Sequence, residues 1–127
     1  MKDIIDALGH LHDAHINRID VDVVNYHVVV SIGDMLANFR NNDDPGEFPG
    51  EIRFLGISGL DIQLAVTEQI TVYGIQIGGP SDDGHPFKLA VSPGGYISGH
   101  ARQILVHPAD VVEKNIDVIN NWKPGNE

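Results

Sequence analysis

The stretch Gly9–Asp20, GHLHDAHINRID, sets His10, His12 and His15 within six residues, with Asp13 among them. Imidazole nitrogens and carboxylate oxygens bind zinc and related divalent ions, which need three or four donors converging on one point. Spacing decides whether they converge. In an extended chain His10 and His12 share a face while His15 points away; in a helix only His10 with Asp13 and His12 with His15 align. Neither arrangement gathers all three histidines, and no H-E-x-x-H pattern is present. A structural reading accounts for the same residues: Gly9 ends a helix, Asp13 bonds backbone amides ahead of a strand, and His12 fills a sheet edge.

A second constellation lies just beyond. If Asp22 and Asn25 flank a hairpin turn, Asp20 falls opposite His27 and Arg18 opposite Val29. Such an Asp–His pair can hold a general base, and it is also an ordinary cross-strand contact on a solvated face. His10, His12, Asp20 and His27 together form the set on which a metal-dependent hydrolase would be built. His85, His100 and His107 read as caps or exposed residues. None of the serines lies in a G-x-S-x-G elbow. The glycines of GGPSDDG and SPGG match neither G-x-G-x-x-G nor G-K-[ST] and read as turn residues. The chain has no cysteine, which removes disulfides, thiolate metal sites and cysteine nucleophiles and fits a reducing compartment. The leading expectation is therefore binding without a cofactor or metal.

Charge points the same way. Eighteen acidic side chains face eight basic ones, for a formal net charge of -10. Lys and Arg are scattered singly, so the surface disfavours nucleic acid and anionic membranes and favours a basic protein partner. The long connection NFRNNDDPGEFPG, Asn38–Gly50, lacks EF-hand spacing. It places two aromatic anchors, Phe39 and Phe48, among Asp43, Asp44, Glu47 and, just after it, Glu51, an arrangement suited to a protein contact.

The elements that must position these residues follow from periodicity. KDIIDALG, residues 2–9, reads as a short helix with Ile4, Ile5 and Leu8 on one face. From His15 the pattern alternates, and the runs around Ile19–Val23, YHVVVSI, EIRFLGIS, DIQLAV, QITVYGIQI, PFKLAV, GYISGH and QILVH read as strands. Turn signals at Ser58-Gly59, GGPSDDG and SPGG divide them at the spacing of an antiparallel meander. The tail returns to helical spacing after Pro108, with Val112, Ile116 and Ile119 on a face and Trp122 beside it. The expected fold is mainly β (α+β): one domain over residues 1–127, an antiparallel twisted sheet or partly closed barrel or sandwich, with a short N-terminal helix and an amphipathic C-terminal helix. The start lacks the apolar core of a signal peptide and no run is long enough to span a membrane, so the expected location is cytoplasmic.

LHDAHINRIDVDVVNYHVVVSI, Leu11–Ile32, resembles the opening of several small bacterial domains, some polymorphic-toxin immunity proteins among them, in which a Leu-His-Asp entry precedes a β-hairpin. The resemblance implies a non-enzymatic protein that binds a partner, with Leu11, His12 and Asp13 as structural entry residues. Two other readings stand beside it: the hydrolase above, and a self-associating domain whose edge strands pair into a homodimer.

Overall fold

The structure, a computed structural model, describes residues 11–35, 49–65 and 69–107. They form six strands: β1 Ile16–Asp22, β2 His27–Ile32, β3 Gly50–Leu64, β4 Thr71–Ile77, β5 His85–Ser92 and β6 Gly95–His107. All neighbouring pairs are antiparallel, in the order β1-β2-β3-β6-β5-β4. The expected mainly β, antiparallel architecture is therefore present, but the path is not a plain meander. Two three-strand meanders lie side by side, joined through the long β3–β6 pair, and β4 lies at the far edge from β1.

The sheet is not closed by a continuous ladder. Its two edges meet at one corner, where His15 bridges Thr71 and the entry segment bonds β4 through Asp13 N–H to Val72 O, Val72 N–H to Ala14 O and Ile16 N–H to Ile70 O. The two expected helices, residues 2–9 and the tail after Pro108 with Trp122, lie outside the described residues. Among the described residues there is no α-helix, and none long and apolar enough to cross a membrane.

Alternation explains the core. Val28, Val30 and Ile32 of β2, Ile52 and Phe54 of β3, and Phe87, Leu89 and Val91 of β5 project to one face and are buried, as period-two patterning requires. Phe54 stacks on Phe87 with ring centroids 4.2 Å apart and 21° between planes. Leu11, Ala14 and Met35, at the two ends of the first hairpin region, complete this cluster.

One expected turn and one expected break between strand runs are instead bridged by long strands. Ser58-Gly59 reverses nothing: β3 runs through it with a register shift between Ser58 and Asp61 against β6. GYISGH and QILVH likewise fuse into one strand. Glycine is a turn signal only when the partner strand also stops, and β6 continues past this point, so the extra residue becomes a bulge. At Gly56, with φ +64°, both strands change the face they bury, from Phe54 to Ile57 in β3 and from Ala101 to Ile104 in β6.

Candidate functional site

The Leu-His-Asp entry is built into the corner of the sheet. Leu11 is fully buried and takes φ +58°; Asp13 takes φ +70° and its N–H reaches β4. The His12 ring donates from Nδ1 to the carbonyl of Tyr73 at 2.8 Å and meets the Tyr73 ring edge-on, with centroids 5.9 Å apart. His12 thus covers a carbonyl on the outer edge of β4, the sheet-edge position expected of it. His15 turns the other way, and both its backbone N–H and its ring Nδ1 meet the Asp34 carboxylate, at 2.6 and 2.9 Å.

The His15–Asp34 pair borders an open hollow of about 540 Å³ that Asn17, Pro49, Gln69 and Ile70 also line. A carboxylate-oriented imidazole has the chemistry of a general base. Asp34 was not legible as its partner, because only the packing of the strand end after Ile32 against the entry segment brings the two together.

The metal set is not assembled. His10 lies outside the described residues. His12 is held on β4, whereas Asp20 and His27 lie along the first hairpin, which runs away from the entry at about 3.3 Å per residue. Among the described residues no group of three or more His, Cys, Asp or Glu side chains could hold a metal ion. The expected Asp20–His27 register is also corrected: Asp20 pairs with Val29, Arg18 with Ser31, and His27 with Asp22. The loop is four residues long, Val23–Tyr26, because the Asp22 carboxylate accepts from the N–H groups of Val24 and Asn25 and from the Asn25 amide, closing an Asx-type turn inside the predicted flanking pair. Asp20 accepts from Arg18 at 2.9 Å. His85 donates to the carbonyl of Gly78 at 3.2 Å, a turn contact.

Of the acidic-loop residues, Phe39, Asp43, Asp44, Glu47 and Phe48 lie outside the described residues. Glu51 is half-buried in β3 and accepts from Arg53 Nε at 2.7 Å, so its charge is internally paired.

The unexpected feature is the far end of the first hairpin. Val23, Val24 and Tyr26 are 77%, 79% and 65% exposed, and Val21 beside them is 44% exposed. Periodicity places this segment at a strand end and turn; the signal for its exposure is the presence of two valines and a tyrosine where turn chemistry favours small polar residues. Tyr26 adopts φ +58° and its carbonyl accepts from Ile57 N–H, which pins the loop to β3 beside Gly56. Between loop and β3 lies a groove of about 260 Å³ lined mainly by Val21, Val23, Tyr26, Ile57 and Leu60, with Asp22 and His27 at its polar side. Hydrogen bonds from the Asn25 side chain, then from backbone N–H groups, hold the Asp22 carboxyl below the usual carboxylate range. Asp22 is thus an anion beside an apolar surface.

No known family model matches the chain, and no curated protein matches it significantly.

Proposed function

We propose that this chain is a non-enzymatic protein-binding domain that meets a basic partner with the end of its first hairpin. The observation that carries the reading is the clustering of exposed apolar side chains: of the five large hydrophobics exposed among the described residues, four lie within Val21–Tyr26, with the Asp22 carboxylate among them. An aromatic and aliphatic surface that carries a carboxylate suits contact with a cationic surface. Tyr26 adds to this. A left-handed backbone favours Gly or Asn, and a solvent-facing tyrosine gains little from burial that would offset the strain. The resemblance of Leu11–Ile32 to immunity domains implies the same kind of role, and the acidic stretch with Asp43, Asp44 and Glu47 supplies further charge for steering. Self-pairing through edges has less support. The outer edge of β4 from Ile70 to Tyr73 is bonded to residues 12–16, and β1 bears Arg18, Asp20 and Asp22, charges that discourage strand addition.

Capture from a lysate of the native host tests this. Wild-type protein should enrich a basic protein that the triple variant Val23→Ser/Val24→Ser/Tyr26→Asn fails to enrich. The variant should retain wild-type thermal stability, since the valines are exposed and Asn suits the left-handed position. Equal recovery by both proteins would remove the hairpin from the binding surface.

A further inference from the structure

We infer that the groove between the first hairpin and β3 is a receptor for one aromatic or large aliphatic side chain that carries or adjoins a positive charge. The inference rests on the protein-binding reading and specifies what that surface recognises.

Size comes first. Small-molecule and cofactor sites usually enclose about 300–1,000 Å³. This groove, at about 260 Å³ and open to solvent, lies below that range and suits a single inserted side chain. Its walls come from two directions, Val21, Val23 and Tyr26 from the hairpin and Ile57 and Leu60 from β3. The bond from Ile57 N–H to Tyr26 O, at 2.9 Å, ties the two walls together, so the groove exists before a ligand arrives. Preformed apolar walls lower the ordering cost of binding.

Charge sets the second half of the ligand. Among the described residues, Asp22 is the only carboxylate lining the groove, and no Lys or Arg lines it. Its Oδ1 receives two backbone N–H groups and Oδ2 one amide proton, whereas an ionised carboxylate offers about four acceptor sites. Acceptor capacity therefore remains for an ammonium or guanidinium. Arg18, on the same hairpin, is engaged with Asp20. An anionic ligand would be repelled by Asp22, with the His27 imidazole as the one group able to become cationic beside it among the described lining residues.

Three probes that share one ring and differ in charge test the assignment: phenethylammonium, phenethyl alcohol and phenylacetate, titrated into the ¹⁵N-labelled full chain. Amide shifts should concentrate at Val21–Tyr26 and Ile57–Leu60. The ammonium should bind about two- to fivefold tighter than the alcohol, the advantage of one exposed ion pair, and the carboxylate weakest. Asp22→Asn, which keeps the oxygen that closes the turn, should abolish the difference between ammonium and alcohol. Val23→Ser, at an exposed position that the fold does not need, should weaken all three. Equal affinities for the three probes in the wild-type protein, or shifts centred elsewhere, would overturn the inference. Partner capture that depends on the hairpin, combined with no charge preference among the probes, would overturn the groove assignment alone and leave the binding reading in place. Charge-selective probe binding with no hairpin-dependent partner would support the groove and count against that reading.

Discussion

Asp22 precedes the four-residue loop and Tyr26 ends it, and each is constrained by what the loop needs. Asp22 supplies acceptors to N–H groups that the turn would otherwise leave to water, and the same bonds favour its charged form. Because its folded pKa lies below the ordinary value of 3.8, its contribution to the loop is complete above that value and is lost as pH falls through the lowered one. A carboxyl-detected NMR titration should therefore place the Asp22 midpoint below 3.8, with the amide signals of Val24 and Asn25 moving in step. A midpoint in the ordinary range, or amides that titrate independently, would show that these bonds do not persist in solution. Tyr96 is perturbed in the opposite sense: its hydroxyl donates to Asp61 at 2.8 Å, and that bond holds the phenol neutral beyond its usual range. Both effects are local and exposed, so they tune a surface without holding the fold together.

At the scale of elements, the β3–β6 pair joins the two meanders, and Phe54 of β3 reaches across to stack on Phe87 of β5. Phe54 is fully buried and its ring has no route to solvent, so truncation leaves a cavity that strands on both sides cannot fill. Phe54→Ala should cost about 3–5 kcal/mol, readable as a lower denaturation midpoint with an unchanged slope. A loss below about 1 kcal/mol would mean that the two meanders are not packed through this ring. The turn from β5 to β6 depends on a different property. Gly95 has φ +121°, and an added Cβ would lie 2.2 Å from the Gln63 carbonyl oxygen, so the β3–β6 ladder approaches there too closely for any side chain. Gly95 of SPGG, legible as a turn residue, therefore also sets the distance between two strands distant in sequence.

Over the whole molecule, the net charge of -10 is not neutralised locally. Arg18 and Arg53 pair with carboxylates two residues away, which leaves the acidic excess to act at longer range. If a basic partner is steered by that field, raising ionic strength from about 0.01 to 0.15 M, which shortens the Debye length from about 30 to 8 Å, should slow association by an order of magnitude and change dissociation little. Stopped-flow or surface-based kinetics at the two salt concentrations measures this. Asp43→Asn/Asp44→Asn/Glu47→Gln should flatten the salt dependence of association by lowering the net negative charge. An unchanged slope would remove that stretch from the steering field.

Much of the architecture was legible because it is local. Period-two alternation in YHVVVSI and PFKLAV marked the buried faces of β2 and β5, the glycine-rich turns before and after β5 marked its ends, and the absence of helix-length segments between strands implied antiparallel pairing. His12 was likewise readable as a sheet-edge residue, whereas Asp13 joins the corner through its own backbone N–H to Val72 and not through the expected bonds from backbone amides to its carboxylate. Tertiary structure alone decided the rest. Whether Ser58-Gly59 turned or bulged depended on β6, more than thirty residues later, continuing alongside it. The pairing of β3 with β6, the meeting of His15 with Asp34 and the failure of His12, Asp20 and His27 to converge are contacts between distant segments, which no local period encodes. The register of the first hairpin depended on the Asp22 carboxylate choosing N–H groups inside the loop, a competition settled by backbone geometry. The groove, finally, lies between the hairpin loop and β3, which the β2–β3 ladder and the Ile57–Tyr26 bond join, so a surface made of ordinary valines, a tyrosine and one aspartate became visible only once two strands were laid side by side.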